Sequence, residues 1–215
     1  MPILLYNMED SPPCLMVRLL AKTLGVKLEI KNFNYEKGEH KAPEFVEINP
    51  LHTVPTINDN GFIVNESRAI LGYLVDKYAK DDSLYPKDPV KRTIINQRLY
   101  FDIGTLYQPF LDYYCQVLEN GTLGHPSKLA RLEEAFQVLD KYLNGQQWVA
   151  GNSLSIADYS IVSSVASIEC VGFDVGRYPN VTKWYQKAQK TIPGYGEIVG
   201  HGCALLAQFY KKCKK

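Results

Sequence analysis

The chain has 215 residues, of which 46% are hydrophobic and 22% charged, a balance that supports a buried core and excludes global disorder. Its 24 Lys and Arg against 23 Asp and Glu leave a formal net charge of +1, so no whole-molecule field draws it to nucleic acid or to an anionic membrane. No apolar run approaches the roughly 18 residues that span a bilayer, and Met1-Pro2-Ile3-Leu4-Leu5-Tyr6, followed by Glu9 and Asp10, lacks the make-up of a signal peptide; the expectation is a soluble, cytoplasmic protein.

The five cysteines, Cys14, Cys115, Cys170, Cys203 and Cys213, are odd in number and widely spaced. With no CxxC and no Cys/His cluster at zinc spacing, neither a disulfide framework nor a metal site is expected. Sequons stand at Asn65, Asn120 and Asn180, but without a secretory signal they do not argue for glycosylation.

The first 80 residues alternate strand and helix patterns. Ile3 to Tyr6 is a short apolar run, and Cys14 to Leu24 carries a helical stripe stopped by Gly25. Val26, Leu28 and Ile30 alternate with charged residues, which predicts a half-exposed strand. An irregular stretch follows. Val54–Ile57 and Phe62–Val64 then flank Asn58-Asp59-Asn60-Gly61, a hairpin turn sequence, and Ile70, Leu71, Leu74, Val75 and Tyr78 repeat at helical spacing. The order is βαβ, then ββα. Residues 80–89 are polar with two prolines and read as a linker.

Everything beyond the linker is helical in period. A long segment from about Val90 to Glu119 keeps Leu99, Ile103, Leu106, Phe110, Tyr113 and Val117 in register, with a kink expected at Pro109. Leu129, Leu132, Phe136, Leu139 and Leu143 form the next stripe. Ser155-Ile156-Ala157-Asp158 has the capping-box pattern, with Leu154 and Tyr159 placed as a hydrophobic staple. Further helices are expected near Tyr178–Lys190 and Ala204–Tyr210. The fold class is therefore α/β plus all-α, with an α/β unit over 1–80 and a helical bundle over 89–215.

Three short segments carry residues suited to chemistry. In Tyr6-Asn7-Met8-Glu9-Asp10-Ser11-Pro12-Pro13-Cys14 a strand ends and a helix begins, with Ser11 at the N-cap and Pro12 at the first helical position. Ser11 can cap the helix, or its hydroxyl can donate to an anion held at the helix N-terminus. Pro12 and Pro13 have no N–H, so an anion there would depend on the Ser11 hydroxyl and the Cys14 amide. In Asn49-Pro50-Leu51-His52-Thr53-Val54-Pro55 a proline opens a strand, which suggests a cis Val54–Pro55 bond and Val54 backbone groups free to pair with an extended ligand. In Asn65-Glu66-Ser67-Arg68 a helix opens with a carboxylate for an ammonium group beside donors for a carboxylate, a match for an α-amino acid end.

Together these segments resemble the glutathione transferase family, specifically the serine-type delta and epsilon classes of arthropods. The resemblance runs over essentially the whole chain. It includes Ser-Pro-Pro-Cys at 11–14, Gly38-Glu39-His40, the Asn49–Pro55 run, Glu66-Ser67-Arg68-Ala69-Ile70 and Asp81-Ser83-Leu84-Tyr85-Pro86. It continues through Asn96-Gln97-Arg98-Leu99-Tyr100-Phe101-Asp102 and Ser155-Ile156-Ala157-Asp158. It implies a thioredoxin-like glutathione-binding domain over 1–80, a helical domain over 89–215 carrying an electrophile pocket, and a cytosolic homodimer. It also implies conjugation of glutathione, as co-substrate and without cofactor or metal, to hydrophobic electrophiles in detoxification.

Carried over by position, Ser11 is the thiolate-stabilising hydroxyl. His40 and His52 meet the glycine carboxylate of glutathione, and Val54, with Thr53 and Pro55 beside it, pairs with the cysteinyl backbone. Glu66, Ser67 and Arg68 hold the γ-glutamyl end. Pro13, Tyr107, Phe110, Tyr114, Leu206 and Phe209 are expected to line the electrophile pocket. The chain departs from the delta pattern at two places near Ser11 and at one pocket position. Glu9-Asp10 replaces the usual Pro-Gly, Leu15 replaces an Arg, and Cys115 stands in line with a pocket tyrosine of some members. The first two disfavour a thiolate, so a somewhat raised bound-thiol pKa is expected.

The chemistry sets a demand. A free thiol with pKa of about 8.5 is only a few per cent ionised near pH 7, and lowering that pKa by two units takes roughly 2.7 kcal/mol. One hydrogen bond to a charged group supplies about 1.5–3 kcal/mol and a helix N-terminus about 0.3–1 kcal/mol, so the Ser11 hydroxyl can meet most of it. Cys14 offers a rival reading as a nucleophile, but in cysteine-type relatives that residue occupies the position of Ser11, and Cys14 falls on the apolar stripe. A non-catalytic binder of apolar ligands and a scaffold protein are the alternative functions.

Overall fold

The computed structural model describes residues 2–215; Met1, the first residue of the expected α/β unit, lies outside the described residues. Strand β1 (Ile3–Asn7), helix α1 (Pro12–Leu24) and strand β2 (Leu28–Asn32) form the first βαβ unit. After it come a short helix α2 (Pro43–Ile48), strands β3 (Thr56–Asp59) and β4 (Phe62–Val64), and helix α3 (Ser67–Tyr78). The sheet order is β2-β1-β3-β4. β1 pairs parallel with β2 and antiparallel with β3, which pairs antiparallel with β4. This is the thioredoxin-like arrangement the resemblance implied.

Three sequence expectations need correction in this half. The stretch after β2 is not irregular throughout, because it contains a 3₁₀ turn at Glu39–Lys41 and α2, which is too short for a periodic stripe and buries only Phe45. The hairpin turn is Asn60-Gly61 alone, with φ of 54° and 93° and Asp59 facing Phe62, a two-residue turn of the kind that matches strand twist; β3 therefore starts at Thr56, not Val54. Ile30 is exposed despite the alternation, since β2 is an edge strand with β1 as its single neighbour.

The helical half opens with α4, continuous over 89–120. Pro109 is accommodated by widening: π-helical turns at Asp102–Tyr107 and Leu111–Cys115 flank it, because proline withholds one backbone donor and crowds the preceding turn. Helices α5 (Pro126–Leu143), α6 (Ile156–Cys170) and α7 (Pro179–Thr191) follow. The last, α8 (His201–Cys213), is entered through a π turn at Gly196–Gly200. It is longer at both ends than its apolar pattern suggested, because Gly200, His201 and Gly202 dilute the stripe.

Helix α6 is buried on every side from Ile156 to Ile168. Its start is held by Asp158, whose carboxylate accepts from the Ser155 N–H and hydroxyl on one oxygen and from the Val149 N–H and Trp184 Nε1 on the other. Burial pushes that carboxyl up to about 6 in spite of these bonds. One contiguous core runs from β1 and α1 through α3 into α4, α5 and α6. The linker is correspondingly fixed. Leu84 and Tyr85 pack on the core, the Leu84 carbonyl accepts from the Ile156 N–H, and Arg92 stacks on Tyr85 while donating to the Tyr85 and Pro86 carbonyls.

Candidate active site

Ser11 sits at the junction of β1 and α1 in the extended N-cap conformation, 7% exposed, and its side chain makes no capping bond. The reason is local. A capping side chain ordinarily accepts from the second or third helical amide; here the second is Pro13, without N–H, and the Cys14 N–H donates to the Ser11 carbonyl at 2.9 Å. The hydroxyl is left free of its own helix's amides at the mouth of α1, with the Cys14 thiol beside it. The expected contribution of the Cys14 amide to an anion is corrected by the same bond. Cys14 itself is fully buried beside Tyr6, Phe45 and Val54, and burial pushes its thiol up to about 12, which suits a core residue and not a nucleophile.

The loop leading into β3 is organised by Asn49, which is 1% exposed. Its amide donates to the Thr53 carbonyl and to the Thr56 hydroxyl, and its oxygen accepts from the Leu51 N–H and from the Asn65 amide. One side chain thus fixes both the 51–56 loop and the residue preceding Glu66. The Val54–Pro55 bond is cis, and among the described residues no backbone group bonds to the Val54 N–H or C=O, the Tyr35 hydroxyl lying against the Val54 backbone instead. His52 and Glu66 hold φ of 45° and 64°, conformations that cost side-chain-bearing residues of order 1–3 kcal/mol and cluster at functional sites.

His40 is buried, stacked on Tyr35 with ring centroids 3.9 Å apart, and 5.9 Å from the His52 ring. Burial, with Lys41 and His52 nearby, lowers its pKa, and its Nδ1 is enclosed without a partner. Ser67 is buried at the first turn of α3, where free amides favour a carboxylate. Arg68 is placed differently from the expectation. Its Nε and Nη2 donate to Asp102 at 3.2 and 2.7 Å, and Nη1 donates to the Ser67 hydroxyl at 3.1 Å. Two of its nitrogens are held by Asp102 of α4 and the third by Ser67, so it orients Ser67 from behind.

The open space beside this cluster is a cleft of about 500 Å³ between Met8 and Asp10, the 32–39 segment with Phe33 and Tyr35, and Phe209 and Lys212 of α8. Phe209 borders this cleft. Phe110, Tyr114 and Leu206 are buried in the core, and half-buried Tyr107 lies with its ring 5.4 Å from the Arg68 guanidinium. The expected aromatic wall is therefore a packed layer, a correction with a simple cause: a stripe at helical spacing looks the same whether it faces core or cavity. Pro13 is half-buried next to Ser11.

Residues 1–76 match the family description "Glutathione S-transferase, N-terminal domain", and residues 125–189 match "Glutathione S-transferase, C-terminal domain". Glutathione S-transferase D6 of Drosophila melanogaster is 49% identical over 193 residues, covering 90% of each chain. The chain belongs to the glutathione S-transferase family. Among solved structures, a delta-class glutathione transferase of Nilaparvata lugens gives a TM-score of 0.96 at 46% identity, over 99% of this chain and 100% of that one. An epsilon-class glutathione S-transferase of the housefly, Musca domestica, gives 0.92 at 36% identity, over 98% of both.

For a glutathione S-transferase, the features that sequence reasoning missed are the ones that hold the site residues in place. Asn49 appeared only as part of a motif, because its bonds reach residues up to sixteen positions away. Tyr35 lay in the stretch taken as irregular. Asp102 appeared only at the end of a motif and without a role, since its partners Arg68 and Ser160 come from two other helices.

Proposed function

We propose that this chain adds the thiolate of glutathione to hydrophobic electrophiles, with Ser11 stabilising the sulfur anion. The observation that carries the reading is the Ser11 hydroxyl at the start of α1, which makes no capping bond to its own helix. Glutathione would lie along the 51–56 loop, its cysteinyl backbone bonded to Val54 beside Thr53 and Pro55. Its glycine carboxylate would face His40 and His52, and its γ-glutamyl end would meet Glu66 and Ser67. The sulfur then attacks carbon, a C–S bond forms, and the electron pair leaves with the displaced group or the opened ring oxygen. The electrophile would approach from the cleft bounded by Phe33, Tyr35 and Phe209. Higher identity to the delta-class than to the epsilon-class structure favours a delta-like enzyme. A cytosolic homodimer is part of this reading.

Turnover of a chlorodinitrobenzene-type substrate by the purified chain tests it directly. Ser11→Ala is expected to retain the fold and glutathione-affinity binding while kcat/KM falls roughly 10- to 100-fold, the equivalent of one charge-assisted hydrogen bond. An unchanged kcat/KM in that variant refutes the role of Ser11. Binding of apolar ligands without any turnover would favour a carrier instead.

A further inference from the structure

Helix α8 meets the loop that carries Ser11 at Gly202. A Cβ added there would stand 2.5 Å from Leu15 Cδ2 and 2.7 Å from the Glu9 backbone carbonyl oxygen, closer than carbon approaches either. The φ of Gly202 is not in the left-handed region, so the glycine is required by proximity and not by backbone conformation. The contact matters because of what lies on each side of it. On one side, the Ser11 N–H donates to the Met8 carbonyl at 3.2 Å, which closes residues 8–11 into a single turn, so a displaced Glu9 carbonyl displaces Ser11. On the other side, α8 continues for two turns to Phe209, which lines the cleft. Flanking contacts hold the same seam, with His201 Nε2 4.0 Å from the Glu9 carboxylate and Lys22 3.3 Å from Glu197.

We propose that Gly202 is a positioning residue for conjugation: its missing side chain lets α8 rest directly on the 8–11 turn, holding the Ser11 hydroxyl and the Phe209 wall in register. The proposal rests on the functional reading above. Catalysis of this kind is sensitive to such placement, since a shift near 1 Å at a catalytic group can cost on the order of 100-fold. Glutathione itself would be held by residues outside this seam, so its binding is expected to survive a change at Gly202.

The test compares Gly202→Ala, Leu15→Val and the double variant with the parent chain. Each is assayed for kcat and KM with chlorodinitrobenzene, for the pKa of bound glutathione by ultraviolet titration, and for Tm. Gly202→Ala is expected to lower kcat by about tenfold or more and to raise the bound-thiol pKa, with glutathione KM within about twofold of the parent. Leu15→Val removes the Cδ atoms that clash but leaves the Glu9 carbonyl in place. In the double variant the Leu15 clash is gone and the Glu9 clash remains, so Tm should recover toward that of Leu15→Val while kcat and thiol pKa stay displaced. If kcat returns together with Tm, the glycine serves packing alone and the proposal falls; unchanged kcat in Gly202→Ala also overturns it. Should the single variant fail to fold, the double variant carries the same comparison. A parent chain that turns over no electrophile refutes the conjugation reading itself, whereas an active parent matched by its alanine variant refutes only the role of Gly202.

Discussion

Ser11 stands where a side chain would ordinarily bond an amide of its own helix, and the two positions that could supply one are a proline and an amide already turned to the Ser11 carbonyl. Sequence reading reached the first half of this argument, because the absence of N–H at Pro12 and Pro13 is a covalent fact. It did not reach the second, which depends on how the turn closes. The same limit applies to Arg68: its identity was legible, but its engagement with Asp102 is a long-range pairing. Glu9 and Asp10 add negative charge close to Ser11. The Glu9 carboxylate accepts from Asn32, and burial, with Glu9 alongside, raises the pKa of Asp10. At 8–10 Å in water-like dielectric each charge is worth about 0.5 kcal/mol, or a few tenths of a pKa unit. Glu9→Gln/Asp10→Asn is expected to lower the bound-thiol pKa by about half a unit at low salt, read by ultraviolet titration, with the difference shrinking as salt is added.

Among the elements, the hairpin β3–β4 depends on one carboxylate. Asp59 is buried at the end of β3 and accepts from the hydroxyls of Tyr73 and Tyr78 at 2.6 and 2.5 Å and from Lys77 at 2.8 Å, all on α3, while its other oxygen takes the Asn60 amide. Burial alone would raise this carboxyl, but the bonds from Lys77, Tyr73, Tyr78 and Asn60 outweigh it and hold the group well below the usual carboxylate range. Because the folded pKa lies below the unfolded value near 3.9, its stabilisation is fully present above about pH 5 and is lost as pH falls through the folded value. Asp59→Asn should cost about 2–3 kcal/mol in urea denaturation at pH 7, with the gap to the parent narrowing below about pH 4. Long, strongly periodic elements such as α1, α3 and α5 were legible from their stripes. α2 and the ends of α8 were not, because few apolar residues mark them. The capping box at Ser155 was legible because its two members are three positions apart, although the buried Val149 and Trp184 bonds that complete it were not.

Across the whole molecule, some of the most exposed apolar side chains gather around one groove. Tyr100 is 75% exposed and Phe62 52%. Tyr100, with Ile103, borders a groove of about 430 Å³, and Phe62 packs on Tyr73, which lines the same groove. Exposed apolar surface around a groove suits an interface with a second copy of the chain, which makes the groove the surface on which the proposed homodimer would close. Tyr100→Glu is expected to shift the chain from dimer to monomer in sedimentation velocity, and a dimer unchanged by it would place the interface elsewhere. The sequence conveyed two halves with different periodicities, and both exist. What it could not convey is that they share one interior. α1 buries residues toward α3 and toward α6 alike, with Met16 Sδ 3.5 Å from the Ser160 hydroxyl.

That clasp on both flanks of α1 limits how such proteins can recombine. A chimaera that takes residues 1–80 from this chain and the remainder from a relative would inherit a foreign surface along the length of the helix that Ser11 precedes. The crossover point in the connecting segment would matter less than whether the donor's α6 fits the ridge that α1 presents. Exchange of one half for the other is thus expected to succeed only between chains whose α1 and α6 have varied in step.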